Sequence, residues 1–162
     1  MDHKAEIVYS YLADLGITYV KHEHPAVYTV EEANQHWDTI SGMHCKNLFM
    51  RDKKGRKHFL VVVESSKQVD IKALNEILGE RLSFASPERL LKHLGLEPGS
   101  VSPFGLINNE DDEVSLLLDY DIDSAIEVSF HPNVNTVTLT LQKEDFLKYV
   151  AAVGNQWSFV AV

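Results

Sequence analysis

Three adjacent residues, Cys45, Lys46 and Asn47, stand at the entrance of a stretch that runs from His44 to Glu64 and ends in the apolar run Phe59 to Val63. An ammonium and a carboxamide beside a hydrophobic strand are costly to bury without a partner, and a bound substrate is one such partner. The ordinary alternative is that Lys46 snorkels to water while Asn47 pairs with nearby backbone, and spacing alone favours that alternative. Cys45 is the one cysteine of the chain, so it closes no internal disulfide, which fits a reducing compartment. Its thiol becomes a nucleophile only if His131 or His44 lowers its pKa. No cysteine-hydrolase signature surrounds it, and a buried small hydrophobe is the simpler reading.

A second stretch with chemical potential is Leu96 to Asn108, LEPGSVSPFGLIN. Its glycines at 99 and 105 and prolines at 98 and 103 let backbone approach a ligand closely and hold amides in a fixed, non-helical shape. Such a loop presents N–H groups to a carbonyl oxygen or a phosphate; it also reads as a plain surface connection. His131 ends a strand just before Pro132, where its two-sided hydrogen bonding suits ligand recognition, although a lone histidine is more often structural. Of the other histidines, His22, His24, His36 and His44 raise the question of a metal. Strand alternation puts His22 and His24 on one face, but no matching Cys/His or carboxylate pair follows at ligand spacing, so no metal and no cofactor is expected.

The elements that must position these groups are legible in outline. Two strand-like runs around Lys53-Lys54-Gly55-Arg56 predict a β-hairpin with Gly55 at the positive-φ position, placed at the centre of a sheet. Ile7, Val8, Tyr11, Leu12 and Leu15 fall on one face of a helix over 4–15, with Gly16 as its C-cap. A short strand over Ile17 to His22 follows, and Thr29 with Glu32 forms a capping box for another helix. Asp70 caps a helix over 71–78 whose stripe is Ile71, Leu74, Ile77 and Leu78, closed by Gly79. Arg81 to Ala85 reads as a strand, and Pro87 opens a helix that stops at Gly95. Beyond the loop come VSLLLDYDI, AIEVSFHP and TVTLTL as strands, a helix over 143–153 ended by Gly154, and a final strand over 157–162. The expected fold is mixed α/β, with a central mixed, largely antiparallel sheet flanked by helices.

The 162 residues, 44% of them hydrophobic, suit one compact domain over 1–162. No apolar run approaches the roughly 20 residues that span a bilayer, and the start MDHKAEIVYS lacks a basic segment followed by an apolar one, so the expected location is the cytoplasm. A formal charge of -9, from 15 basic and 24 acidic residues, argues against broad nonspecific nucleic-acid binding; neither DNA nor a membrane is an expected partner. The densest basic patch is the hairpin tip, Arg51, Lys53, Lys54, Arg56, Lys57 and His58, while acids gather at 110–113 and 119–123.

Taken together, HEHPAVYTVEEA (22–33), KNLFMRDKKGRKHFLVVV (46–63), GSVSPFGLIN (99–108) and FHPNVNT (130–136) resemble the YbaK/prolyl-tRNA-synthetase editing-domain family of aminoacyl-tRNA deacylases. Within it the chain most resembles the freestanding alanyl-tRNA(Pro) deacylases, the ProXp-ala or PrdX proteins. Each motif is modest alone; their joint order and spacing cover nearly the whole chain.

The resemblance implies hydrolysis, in trans, of alanine wrongly esterified to proline tRNA. It puts the family's catalytic lysine on Lys46, its adjacent asparagine on Asn47, its Gly-x-x-x-Pro loop on Gly99 to Pro103 and its pocket histidine on His131. The partner it implies is the acceptor end of mischarged tRNA(Pro), and it allows prolyl-tRNA synthetase as a second. An aminoacyl ester is already activated, so such an enzyme mainly positions it and stabilises charge on the carbonyl oxygen. On that reading Lys46 binds the terminal phosphate or the developing oxyanion, and Asn47 orients the ester or ribose. The amides of Gly99, Ser100, Val101 and Ser102 complete the oxyanion site, and His131 with Pro103 bounds the amino-acid pocket. Arg51 and Arg81 face the acceptor stem, with Lys53, Lys54 and Lys57 as further phosphate contacts. Regular alternation would point Lys46 and Asn47 to opposite faces, and a bulge would be needed to bring both to one ligand. Two other functions stay open: hydrolysis of a different ester, such as cysteinyl- or seryl-tRNA, and a noncatalytic module that holds the tRNA end.

Overall fold

The computed structural model describes residues 3–26, 41–109 and 113–162. The predicted hairpin forms as β2 (Met43–Arg51) and β3 (His58–Glu64), paired in continuous antiparallel register from Cys45 opposite Glu64 to Arg51 opposite His58. Gly55 adopts φ 69° in the connecting turn, as its position demands. The two strands lie at the middle of the sheet, whose order is β1 (Val20–Glu23), β7 (Val137–Gln142), β6 (Glu127–Phe130), β2, β3, β5 (Val114–Asp119) and β8 (Trp157–Val160). The two-residue β4 (Ser83–Phe84) adds to the outer end of β2. Pairs β1–β7, β6–β7, β2–β3 and β2–β4 are antiparallel, whereas β2–β6, β3–β5 and β5–β8 are parallel, so the sheet is mixed.

Alternation along these strands feeds two separate apolar layers. Cys45, Phe49, Leu60, Val62, Leu116 and Leu118 point to one face, where they meet Val8 and Leu12 of α1 (His3–Asp14), Leu90 and Leu94 of α3 (Pro87–Leu94), and Phe146 and Tyr149 of α4 (Lys143–Val153). Met50, Val61, Val63 and Leu117 point to the other face, under Leu74 of α2 (Ile71–Leu78). As read from sequence, Asp70 accepts from the Ala73 amide at 3.0 Å and Gly79 and Gly95 close their helices in the left-handed region; ahead of Pro87, Ser86 adds a cap by accepting from the Arg89 amide at 3.2 Å.

Several expectations are corrected. Ile7 and Ile77 are exposed, because α1 and α2 bury narrower stripes than the periodicity implied; Ala5 takes part in the α1 contact instead. The first strand starts at Val20, not Ile17, and the strand over 81–85 shrinks to two residues that have a partner only at Met50 and Arg51. The stretch after Ser102 is not wholly irregular: Pro103–Asn108 is a 3-10 helix started by the Ser102 hydroxyl, which accepts from the Phe104 amide at 3.1 Å. The capping box at Thr29 and Glu32, and His36, lie outside the described residues.

Candidate active site

The geometry of interest starts at the edge of β2 that faces away from β3. There β2 pairs with β6 only at Met43 with Val128 and His44 with Ser129, and with β4 only at Met50 and Arg51. Between those two ladders this edge of β2 has no strand partner among the described residues, so its backbone groups there are left to other partners. Lys46 stands two residues beyond His44 on β2, and His131 two residues beyond Ser129. Period-two alternation puts Lys46 on the His44 face of β2, while His131, just past the end of β6, is placed by its own contacts. His44 is close enough to His131 to act on its charge, and His24 lies with its ring centroid 5.7 Å from that of His131.

His131 is held by Nδ1–H donating to the Val137 carbonyl at 2.7 Å. Because that acceptor is a carbonyl, Nδ1 carries the hydrogen and the neutral ring presents Nε2 as an acceptor. Burial pushes its pKa below the ordinary value; the Val137 carbonyl acts in the opposite sense, and His24 and His44 add to the lowering. His24 is committed elsewhere, with Nε2 2.8 Å from the Thr138 hydroxyl and Nδ1 2.9 Å from the Pro25 carbonyl, which gives the His22/His24 pair a structural explanation.

No bulge interrupts β2. Lys46 sits opposite Val63, and Asn47 opposite Val62, two valines that belong to the two different apolar layers. The neighbours in sequence thus face opposite sides of the sheet. Asn47 turns toward the Gly/Pro loop and donates from Nδ2 to the Val101 carbonyl at 3.2 Å, while its Oδ1 is buried without a partner. That loop is tied to the His131 segment too, since Asn133 Nδ2 donates to the Phe104 carbonyl at 3.4 Å. Asn133 takes φ 65°, a strained choice that lets this turn approach the loop. The structure therefore ties Asn47 and the turn that carries His131 and Asn133 to the Gly/Pro loop, while Lys46 faces the opposite side of the sheet. Within the loop, the Ser100 amide donates to the Glu97 carbonyl at 3.1 Å and is already engaged; Ser102 and Pro103 are fully covered.

The Lys46 ammonium donates to the main-chain carbonyl of Lys67. Lys67 is itself clamped, its Nζ lying 2.8 Å from both Asp119 Oδ1 and Asp121 Oδ2, with the Val162 carbonyl at 3.3 Å. Asp119 is fully buried and also accepts from the Glu64 amide at 3.1 Å. The two carboxylates raise the Lys67 pKa and keep it charged. Neither Lys67 nor Asp119 was distinguishable in sequence, because nothing local marks a carbonyl that will receive a distant ammonium.

Cys45 is buried in the larger apolar layer, and desolvation, with Asp119 and Glu64 adding to it, pushes its thiol far above the usual range. A thiol so placed is a packing group, not a nucleophile.

The basic residues named from sequence gather at the hairpin tip. Arg81, distant in the chain, joins Lys53, Lys54, Arg56 and Lys57 around a groove of about 640 Å³, with Asp52, Gly79 and Glu80 completing its wall. Lys57 pairs with Glu80 at 2.6 Å, which raises its pKa. Arg51 donates to the Asp52 and Lys53 carbonyls at 3.1 and 3.3 Å, beneath the turn.

Residues 24–149 match the sequence model of the aminoacyl-tRNA editing domain. The chain is 41% identical over 161 residues to the prolyl-tRNA editing protein ProX of Acetoanaerobium sticklandii, a match covering 99% of this chain and 98% of that one. It is 36% identical over 137 residues to prolyl-tRNA synthetase associated domain-containing protein 1 of Mus musculus, covering 82% and 81%. A crystal structure proposed to be a trans-editing enzyme for prolyl tRNA synthetase superposes with a TM-score of 0.76 at 22% identity, over 100% of this chain and 99% of that one, and speaks for the fold. Among the described residues no helix is long and apolar enough to cross a membrane.

Proposed function

From the chain's membership of the aminoacyl-tRNA editing domain family, we propose that it hydrolyses alanine from mischarged tRNA(Pro), in trans to the synthetase and in the cytoplasm. The observation that supports the reading is the short β2–β6 ladder, which ends at His44 and Ser129 with Lys46 two residues further along β2 and His131 just past the end of β6. An ammonium, a neutral imidazole and an amide-bearing loop are the groups that an activated ester requires.

Lys46 supplies positive charge to the terminal phosphate or to the carbonyl oxygen as it becomes an oxyanion. Its donation to a main-chain carbonyl supports a fixed cation instead of a mobile base. The loop amides of Gly99 and Val101 assist; Ser100's amide is engaged by Glu97 and Ser102 is buried. Asn47 fixes the loop through Val101 and so sets where those amides point. His131, neutral and accepting at Nε2, bounds the amino-acid pocket with Pro103 behind it. Water enters as nucleophile, and the vicinal ribose hydroxyl relays its proton, so no strong base is required of the protein. Rejection of proline is by size, since a pocket that admits a methyl group excludes a pyrrolidine ring. The tip cations meet the acceptor-stem phosphates.

The experiment is deacylation of Ala-tRNA(Pro), Cys-tRNA(Pro) and Pro-tRNA(Pro) by the purified chain, with Lys46→Ala as control. Release of alanine that is lost in the variant, with proline spared, supports the reading. Preferential release of cysteine would move the substrate, and equal rates for wild type and variant would leave a noncatalytic tRNA-end binder.

A further inference from the structure

We infer that Arg89, on α3 and outside every motif above, is the positioning residue that gives the basic hairpin tip its shape for RNA phosphates; this rests on the tRNA reading of the tip. The turn over 52–57 has little freedom left. The Asp52 carboxylate accepts from the amides of Arg56 and Lys57 at 2.8 and 3.1 Å, and the Asp52 amide donates to the Lys57 carbonyl at 3.0 Å. These bonds hold the Asp52 carboxyl below its ordinary pKa and spend the acid that stands nearest the tip cations on backbone. The outward carbonyls are closed by two guanidinium groups: Arg51 serves Asp52 and Lys53, and Arg89 Nη1 serves Gly55 at 2.9 Å. Arg89 packs so closely that a Cβ on Gly55 would stand 2.6 Å from its Nη2.

Arg89 is fixed from behind as well. Its Nη1 lies 3.1 Å from His58 Nε2, and because a guanidinium only donates, His58 accepts and is neutral. His58 is buried, stacked on Phe49 at 5.6 Å and against His93 at 4.0 Å between ring centroids. A rigid stack thus holds Arg89, and Arg89 holds the apex of the turn.

Charge gives this arrangement its meaning. Among the described residues Arg51, Lys53, Lys54, Arg56, Arg81 and Arg89 have no carboxylate at ion-pair distance, and Lys57 alone of the tip cations is paired, in a chain with 24 acidic residues. Cations carried on a turn whose backbone is fixed, and left without acidic partners, are a phosphate-binding surface for which the ordering cost of the turn is met in the free protein.

The test is binding of a tRNA(Pro) acceptor-stem RNA hairpin by fluorescence anisotropy, together with hydrolysis of two esters: alanyl-tRNA(Pro) and an alanyl-CCA trinucleotide that lacks the stem. Arg89→Ala is expected to weaken stem binding about fivefold or more and to raise KM for alanyl-tRNA(Pro) in proportion with little change in kcat. Arg89→Lys, which keeps the charge and one donor but not the fork, recovers part of the loss. Gly55→Ala, which crowds the same contact from the other side, reproduces the loss without touching α3. Unchanged stem binding in both Arg89→Ala and Gly55→Ala overturns the inference, as does a parallel fall in alanyl-CCA hydrolysis, which would mark Arg89 as a general stability residue. Wild-type protein that binds the stem but releases no amino acid would refute the hydrolase reading and leave this one standing.

Discussion

Lys46 stands two residues past His44 on β2, and His131 two residues past Ser129, just beyond the end of β6; His44 and Ser129 are the last paired couple of the two strands. Adjacent parallel strands run about 4.8 Å apart while paired; past this couple the same edge of β2 has no strand partner among the described residues until β4 at Met50. Lys46→Ala removes the cation and should lower kcat by about 100-fold or more, the scale seen when one preorganised donor is lost. Its unfolding midpoint in urea should stay close to wild type, because the lysine buries little apolar surface. A variant that loses activity and stability together would mark Lys46 as structural.

The carbonyl that receives Lys46 is placed by a buried carboxylate. Removing Asp119 leaves Lys67 with only the half-exposed Asp121, and leaves the Glu64 amide without its side-chain acceptor. Breaking one side of a buried pair costs about 3–5 kcal/mol, and since Lys67 is partly exposed the lower end applies to Asp119→Ala. Its effect on catalysis should exceed that of Asp121→Ala. Urea unfolding and single-turnover deacylation of both variants check the order.

What the sequence disclosed and what it hid divide along contact range. The β2–β3 hairpin, the Asp70 cap, the helix start at Pro87 and the glycine C-caps depend on neighbours within a few residues, and each was readable from residue type. The separation of β2 from β6 depends on parallel pairing between Met43–His44 and Val128–Ser129, segments far apart in the chain with no local mark of where pairing ends. The same holds for Lys67 and Arg89, ordinary surface-type residues until distant partners define them. Alternation did foretell that Lys46 and Asn47 face apart. It could not foretell that Asn47 acts through Val101, or that the Pro103 segment winds into a 3-10 helix whose tight turn buries Phe104 and Leu106.

That 3-10 helix is sensitive at Gly105. A Cβ there would stand 2.7 Å from Leu96 Cδ1 and 3.3 Å from Leu94 Cβ, in a fully packed layer. Gly105→Ala should destabilise the fold by about 1–3 kcal/mol. The strain falls on the segment that carries Val101, so KM for the ester should rise as well. Gly154→Ala makes a useful contrast: nothing lies within 4 Å of its Cβ, so its cost comes only from the left-handed backbone, φ 84°, and activity should be retained.

Stability should depend on pH through His58. Its folded pKa is lowered from 6.5 to about 4, first by burial and then by the charges of His93 and Arg89. Between those two values the unfolded chain binds a proton that the folded chain refuses, so stability falls as pH drops from about 6.5 toward about 4 and this contribution is flat below. A shift of this size corresponds to a total on the order of 3 kcal/mol. Burial lowers His131 as well, so it adds to the slope with the same sign. The depressed Asp52 carboxyl contributes only at lower pH, where it starts to protonate. Urea midpoints taken at pH 7.0, 5.5 and 4.5 should therefore decline for wild type, and His58→Gln, which accepts from Arg89 through its amide oxygen without titrating, should decline less steeply. Equal slopes for the two proteins would show that the Arg89–His58–His93 stack accepts a proton at little cost, and so is looser than its geometry implies.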